Sequence, residues 1–342
     1  MTTTIGWTPP LALRPAPHYL FIETTTACNL RCRQCHMWMS EEPPGTLTTE
    51  DKVALVDQFG GWAEHGVVVI TGGEPFLKTE EVMAISRRAR SYGLSVAVNT
   101  NGTLIPESLY ADLLTEGPHY LVVSLDAPDA ATHDWIRGRA GTYNAVVQTV
   151  QGLLAARKER HPTSDVRVLV NGILCAETLP GALALVEFVR ALGADGVMFQ
   201  ALARTFMNRA QGDPFFDQHR PRDLAIVDRV LDELIALRRS DRFLNTEVRD
   251  LEWMKLYFRD PDFISEPVCG SAHRNMMINM FGEQQLCFAM KGLLDGKHLG
   301  SVRSVALRQA WESPQAAQAR SVMDACRKNC GMLHCHRREG PL

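Results

Sequence analysis

The chain has 342 residues, enough for one large core and a smaller domain, and its 36 Lys and Arg nearly balance 39 Asp and Glu. No basic run interleaved with aromatic residues is present, which argues against a nucleic-acid partner. The first residues lack the basic and apolar regions of a signal peptide, and no apolar stretch reaches the ~20 residues that cross a membrane. Nine cysteines without an export signal therefore indicate metal binding in a reducing cytoplasm rather than disulfides.

Strand-like and helical segments alternate along the first 200 residues. Strands are predicted near 19–25, 66–71, 94–99, 120–125, 166–175 and 195–200. Helices are predicted near 48–60, 78–91, 106–115, 142–158 and 179–192. This alternation predicts an α/β fold with a parallel sheet, and six units are too few for a closed eight-stranded barrel.

A polar connector with Gly and Pro follows at 203–220, and the apolar periodicity of 221–240 predicts an amphipathic helix. The composition changes from about residue 262 onward, where five of the nine cysteines are found. We therefore predict three regions, namely an α/β barrel region over 1–205, a connector and helix over 206–260, and a cysteine-rich domain over 261–342.

Three cysteines directly follow the first predicted strand, in the segment Cys28-Asn-Leu-Arg-Cys32-Arg-Gln-Cys35. Three thiolates this close can hold three irons of a [4Fe–4S] cluster and leave the fourth iron open, whereas structural clusters fill all four positions with Cys. An open metal position is a site for chemistry. The alternative is a structural zinc bound by the three cysteines together with His36.

The second predicted strand ends in Thr71-Gly72-Gly73-Glu74-Pro75. A cysteine triplet after the first strand and Gly-Gly-Glu-Pro after the second resemble the radical S-adenosylmethionine (SAM) enzymes, over roughly the first 200 residues. The resemblance implies a partial (β/α)6 barrel with its active site at the C-terminal strand ends. It also implies a [4Fe–4S] cluster that binds SAM, and an electron donor of the flavodoxin or ferredoxin type.

The same resemblance gives expected roles to individual residues. Cys28, Cys32 and Cys35 match the three cluster ligands. The segment matching the one that receives the methionine amino group consists of Gly72, Gly73, Glu74 and Pro75. Glycines let the backbone come close, and a carboxylate pairs with an ammonium. The residues at the ribose- and carboxylate-contacting positions are Asn101, Ser124 and Arg137, and Gln34 stands where the family usually has an aromatic residue.

The C-terminal cysteines resemble the auxiliary-cluster domain called SPASM in its long form and twitch in its short form. The segment 276–283 has the pattern of a β-hairpin, which would bring Cys269 and Cys287 together. Three further cysteines follow at Cys326, Cys330 and Cys335, and five are too few for two full clusters. We expect one auxiliary [4Fe–4S] cluster held by Cys269, Cys287, Cys326 and either Cys330 or Cys335, with a zinc knuckle as the alternative.

The remaining cysteine, Cys175, ends the fifth predicted strand, and period two places it on one face with Arg167 and Asn171. A thiol on the lumenal face would return hydrogen to a substrate radical and invert the carbon, so it favours an epimerase. The alternative for the residue is a small buried packing residue. The alternative for the reaction is a dehydrogenase that oxidises the same alcohol to a ketone.

The resemblance favours a small polar substrate, a sugar or aminocyclitol of the aminoglycoside type. A peptide-modifying radical SAM maturase is the second possibility, because related enzymes act on peptides. The third possibility is a zinc-binding interaction module without catalytic activity. Neither a nucleic acid nor a membrane is an expected partner.

Overall fold

The computed structural model describes residues 15–40, 42, 44–204, 214–263, 270–288 and 290–326. Eight strands form one sheet in the order β6-β5-β4-β3-β2-β1-β7-β8. Their bounds are β1 Tyr19–Glu23, β2 Val67–Thr71, β3 Ser95–Thr100, β4 Tyr120–Ser124, β5 Arg167–Leu174, β6 Gly196–Ala201, β7 Asn275–Ile278 and β8 Gln284–Gln285. Neighbouring strands from β6 through β7 pair in parallel, and only β7 and β8 are antiparallel.

Helices connect the parallel strands, as β/α units require. The helices of the barrel are α1 Thr49–Gly60, α2 Thr79–Ser91, α3 Tyr110–Glu116, α4 Ala130–Arg137, α5 Thr142–Arg160 and α6 Ala182–Leu192. The later helices are α7 Phe215–His219, α8 Leu224–Ser240, α9 Val248–Arg259, α10 Ser271–Arg274, α11 Met290–Leu293, α12 Leu307–Trp311 and α13 Pro314–Asp324. Side-chain caps begin several of them, including the reciprocal Thr48 and Asp51 pair of α1.

Alternation along each strand separates the core from the lumen. On β1 and β2, Leu20, Ile22, Val68 and Ile70 are fully buried in the layer between sheet and helices. Their sequence neighbours point the other way and form a second apolar group of Tyr19, Phe21, Val67 and Val69 inside the barrel. The apolar runs of these strands therefore reflect burial on both faces, as is typical of parallel sheets.

Both edges of the six-stranded barrel sheet are extended by later parts of the chain. At one edge, β7 pairs in parallel with β1, with Tyr19 opposite Asn275. At the other, the Val197 N–H donates to the Phe243 carbonyl (3.0 Å) and the Asn245 N–H donates to the Val197 carbonyl (2.7 Å). The segment around Leu244 thus continues the sheet beyond β6, and the sheet runs across the boundary predicted near residue 261.

The predicted α/β class with a six-unit partial barrel is confirmed. The observed strands lie within about two residues of their predicted bounds, and the hairpin expected over 276–283 forms between β7 and β8. Helices α4 and α9 were not predicted. The division into three regions stays a prediction. None of the helices in the described ranges is both long enough and apolar enough to span a membrane.

Candidate active site

A cavity of about 650 Å³ fills the lumen of the barrel. It is lined at one end by Cys28, Cys32 and Cys35 and by the last residues of several strands, and at the other end by first residues such as Tyr120 and Arg167. Parallel (β/α) folds place their chemistry at the carboxyl ends of the strands, so the cysteine end is the candidate active site.

The cysteine loop is held in place by backbone contacts. The Cys35 N–H donates to the Cys32 carbonyl (3.2 Å), and the Arg33 N–H donates to the carbonyl of Ile136 at the end of α4 (2.9 Å). A Cβ at Gly138, which follows α4, would lie 2.1 Å from the Arg31 carbonyl oxygen. The loop and the end of α4 are therefore in direct contact, which fixes where the three thiols stand.

Burial raises the pKa of all three thiols, that of Cys35 to about 11. The thiols are consequently protonated near neutral pH, and a metal that binds them must displace those protons. The guanidinium of Arg137 partly offsets the effect of burial at Cys32.

The cysteine arrangement bears on the choice between zinc and a cluster. Among the described residues, no three His, Cys, Asp or Glu side chains form a group that could hold a metal ion. Three cysteines around a [4Fe–4S] cluster each bind a different iron, so they stand farther apart than three ligands of one ion. Three thiols on the wall of one roomy cavity therefore fit a cluster better than the zinc site that would include His36.

Gly72 and Gly73 bring the second motif against the cysteine loop. The Gly73 N–H donates to the Thr25 carbonyl (2.6 Å), and the Glu74 N–H donates to the Ala27 carbonyl (2.9 Å). Gly72 has a φ of +142°, which favours glycine, and a Cβ at Gly73 would lie 2.1 Å from the Ala27 carbonyl oxygen. Both glycines also line the cavity, so their backbone is accessible to a ligand.

Glu74 turns away from the cavity wall and is fully buried. Its carboxylate accepts hydrogen bonds from the Phe76 N–H (3.0 Å), the Thr100 hydroxyl (2.7 Å) and the Asn101 N–H (2.7 Å). Burial raises its pKa, while these donors act in the opposite direction. The side chain expected to meet an ammonium thus ties the second motif to the end of β3, with Pro75 buried beside it at the start of a short 3-10 turn.

The polar residues expected around ribose and carboxylate lie at this same end. Asn101 donates to the Asn29 side chain (2.8 Å) and stands 3.9 Å from the Cys28 sulfur, and Ser124 lines the cavity. Arg137 lines it too, but its guanidinium forms a two-bond pair with Asp126 (2.6 and 2.9 Å). Burial opposes the charge of Arg137, yet the Asp126 carboxylate outweighs burial and raises its pKa.

Two amide side chains were not predicted to contact a ligand. The Oε1 of Gln34 and the Oδ1 of Asn171 are buried and have no hydrogen-bond partner in the part of the chain that the structure describes. Both residues line the cavity, and unsatisfied buried acceptors are costly unless a ligand or water supplies a donor. The alternation of β5 carried a signal for Asn171, because it placed that residue on the face with polar side chains.

Cys175 is not part of the cavity wall, contrary to the expectation of a lumenal thiol. The lumenal residues of β5 are Arg167, Leu169, Asn171 and Ile173. The strand ends at Leu174, and Cys175 is fully buried, where its thiol contacts Glu177 (3.2 Å) and Thr178 (3.4 Å). Burial raises the pKa of this thiol to about 12. These contacts fit the alternative of a packing residue.

The auxiliary-cluster cysteines are only partly described. Cys287 follows β8 and Cys326 follows α13, whereas Cys269, Cys330 and Cys335 lie outside the described residues. Helix α13 packs on α10, where the Asp324 carboxylate contacts the His273 ring (2.7 Å) and Arg320 donates to the Ala272 carbonyl (3.1 Å). The end of α13 that carries Cys326 therefore lies beside the segment that begins at residue 270.

A parallel partial barrel with three cysteines and a glycine-lined ligand cavity at its carboxyl end defines the class of iron–sulfur enzymes that bind SAM. Residues 22–174 match the family model of the radical SAM superfamily. This part of the chain belongs to that superfamily, and the protein is a radical SAM enzyme.

Known proteins similar to this chain fall into two groups. An AdoMet-dependent heme synthase of Methanosarcina barkeri is 31% identical over 185 residues, which are 54% of this chain and 50% of that protein. The subtilosin biosynthesis protein AlbA of Bacillus subtilis is 24% identical over 326 residues, which are 92% of this chain and 65% of that protein. The chain thus spans about half the length of the heme synthase relatives that it matches.

The fold is shared with solved structures at low identity. Streptococcus suis SuiB bound to S-adenosylmethionine superposes with a TM-score of 0.69 at 16% identity, covering 91% of this chain and 72% of SuiB. The enzyme anSMEcpe with bound AdoMet gives a TM-score of 0.63 at 17% identity, covering 88% of this chain and 82% of that chain. At these identities the likeness establishes the fold alone.

Proposed function

We propose that Cys28, Cys32 and Cys35 hold a [4Fe–4S] cluster with SAM, and that the enzyme abstracts a hydrogen atom from a molecule bound in the barrel lumen. The observation that carries this proposal is that the three thiols and the lumen share one cavity of about 650 Å³. When bound, the cluster and SAM supply a 5′-deoxyadenosyl radical.

The surrounding residues bind and orient. The backbone of Gly72 and Gly73 offers hydrogen-bonding groups where the cavity approaches the cysteine loop. Gln34, Asn101 and Asn171 provide amide groups, and Arg137 provides a positive charge that Asp126 holds in position. The apolar middle of the cavity excludes water, which protects a carbon radical from side reactions.

We favour a reaction that needs no hydrogen from Cys175, such as the dehydrogenation proposed as an alternative to epimerisation. The support is the burial of the Cys175 thiol against Glu177 and Thr178 outside the cavity wall. A sugar or aminocyclitol remains the substrate that the sequence suggested, although the chemistry of the cavity favours another class, which is argued below.

Peptide modification is the second candidate function. The match to AlbA, a protein of bacteriocin biosynthesis, extends over 92% of this chain and so includes the C-terminal cysteine region. SuiB, which shares the fold, has also been solved bound to the precursor peptide SuiA. A peptide substrate would place one side chain in the lumen and the rest of the peptide outside it.

The central experiment measures 5′-deoxyadenosine by liquid chromatography and mass spectrometry after anaerobic reconstitution with iron and sulfide. Wild type incubated with SAM and dithionite should form it, and Cys28→Ala, Cys32→Ala and Cys35→Ala should not. Cys175→Ala is the matched control, since it removes a buried thiol without touching the cavity. A triple variant of the three motif cysteines that still formed 5′-deoxyadenosine would refute the proposal.

Metal analysis tests the auxiliary cluster and the zinc alternatives separately. We propose about eight irons per chain, four per cluster, with Cys287→Ala losing four of them and keeping SAM cleavage. Four irons in wild type would remove the auxiliary cluster from the proposal, and bound zinc without iron would favour the interaction module. A flavodoxin or ferredoxin should replace dithionite as the electron donor.

A further inference from the structure

Three arginines line the end of the cavity that is farthest from the cysteines. Arg167 is the first residue of β5, and Arg238 and Arg242 lie at the end of α8 and just after it. The first residues of β1 and β4, Tyr19 and Tyr120, line the same end. Strands rise about 3.3 Å per residue, so this end lies roughly 13 Å below Ser124 at the far end of β4.

Arg238 is buried with an unused donor. Its side chain is 7% exposed, and one terminal nitrogen donates to Glu247 (2.7 Å). Its Nε is buried and has no hydrogen-bond partner within the described ranges. An unsatisfied donor on a buried charged group is costly, so this guanidinium edge needs an acceptor that the described part of the chain does not supply.

The other two arginines add uncompensated positive charge. Arg242 is exposed and forms no ion pair or hydrogen bond with any described residue, and Arg167 makes only a 3.3 Å hydrogen bond to the Asp195 carbonyl. The nearby Asp195 carboxylate is already held by two bonds from Arg157 (2.6 and 3.1 Å). Three guanidinium groups therefore face this end with one lining carboxylate, that of Glu247.

The wall between the two ends is largely apolar, with Phe21, Val69, Val122, Leu169 and Met198 among its residues. A molecule that fits the whole cavity carries its reacting carbon near the cysteines, an apolar body in the middle and a group that suits guanidinium at the far end. Carboxylates and phosphates match guanidinium by paired hydrogen bonds, whereas an ammonium is repelled by it.

We propose that Arg238 and Arg242, with Arg167, form an anchoring site for an oxyanion of the substrate, a carboxylate or a phosphate attached to an apolar body. This inference rests on the proposed function and narrows its substrate class. It disfavours aminocyclitols, because their ammonium groups would meet three arginines.

The test uses four probes that share one body and differ only in the terminal group. These are 6-phenylhexanoate, 6-phenylhexanamide, 6-phenylhexylamine and 6-phenylhexyl phosphate. Binding to the reconstituted, SAM-bound holoenzyme is measured by calorimetry. At least one of the two oxyanions should bind tenfold or more tightly than the amide, and the amine should bind worst. Whichever oxyanion is preferred identifies the group that the substrate carries.

Variants locate the preference. Arg242→Gln should reduce the ratio of oxyanion to amide affinity to below threefold, and because Arg242 is exposed and has no described ion pair, this variant does not depend on a core interaction. Arg238→Gln should do the same, with circular dichroism verifying its fold. Arg239→Gln is the matched control, since Arg239 lies on the same helix, is 65% exposed and pairs only at 3.8 Å with Glu252.

Equal affinities for both oxyanions and the amide would overturn the inference. So would an oxyanion preference that survives unchanged in both Arg238→Gln and Arg242→Gln. SAM cleavage by wild type separates this failure from failure of the proposed function. If cleavage is absent, the proposed function is wrong, and if cleavage is present without an oxyanion preference, only the anchoring site is wrong.

Discussion

Replacing Gly73 with Ala should inactivate the enzyme without unfolding it. The backbone of Gly73 lies directly on the cysteine loop, where a new Cβ would stand 2.1 Å from the Ala27 carbonyl oxygen and 2.6 Å from that of Thr26. Both oxygens belong to backbone that leads into Cys28, so neither can rotate away as a flexible side chain would.

The required displacement can be read from these distances. Ordinary contact begins at 3.4 Å, so the loop must move by roughly 1.3 Å to accept the methyl group. A misplacement of about 1 Å typically costs about 100-fold in rate, and overpacking costs about 1–3 kcal/mol of stability. We therefore expect a fall of about 100-fold in 5′-deoxyadenosine formation, with cooperative unfolding retained.

The assay compares initial rates of 5′-deoxyadenosine formation in wild type, Gly73→Ala and Gly61→Ala. Gly61 is the matched control, because its Cβ would meet its nearest atom at 3.4 Å and its φ of −75° suits alanine. Iron content and urea unfolding are measured on the same preparations. A rate for Gly73→Ala within threefold of wild type would refute the idea that this contact positions the cysteines.

Two further predictions concern buried ionisable groups. Lys52→Met should destabilise the protein by about 3–5 kcal/mol in urea unfolding, because Lys52 is fully buried and donates to Glu81 (2.7 Å) and to the Thr24 carbonyl (2.9 Å). Lys78→Met, which breaks a more exposed pair with Glu42, should cost under about 1 kcal/mol, and equal losses would contradict this reasoning. Burial lowers the pKa of His133 to about 4 from 6.5, so the unfolded chain takes up the proton first and stability should fall as pH drops from 6.5 towards 4. The slope reaches at most about 1.4 kcal/mol per pH unit, and a His133→Asn variant with the same slope would disprove the assignment.

Much of the barrel could be predicted because its signals are local. Apolar runs such as Val67–Thr71 that end in Gly or Asn mark the strands and the functional ends of the sheet together. The cysteine triplet and the two glycines meet because parallel strands bring their carboxyl ends to one edge. These predictions required no knowledge of contacts between distant residues.

Predictions that depended on the direction of one side chain were less successful. Period two holds along β5 as far as Ile173, but Thr178 then donates to the Ile173 carbonyl (2.5 Å) and accepts from the Cys175 N–H (2.9 Å). This turn ends the strand and removes Cys175 from the lumenal face. Glu74 differs from expectation for a similar reason, because two backbone amides and a hydroxyl draw its carboxylate inward. The arginines of α8 were invisible as a site because the sequence does not reveal which helix face reaches the lumen.

The pairing of β1 with β7 has a consequence for biosynthesis. The first strand emerges from the ribosome early, but one of its two partners comes much later, and the Met280 N–H donates to Glu23 across 257 residues. At about 5–20 residues per second, β1 waits roughly 10–50 s with an unpaired edge. Exposed strand edges template association between chains, so the nascent protein is most prone to aggregation before its C-terminal segment is made. Slowing translation of the last third of the gene should therefore lower the soluble yield more than slowing the first third.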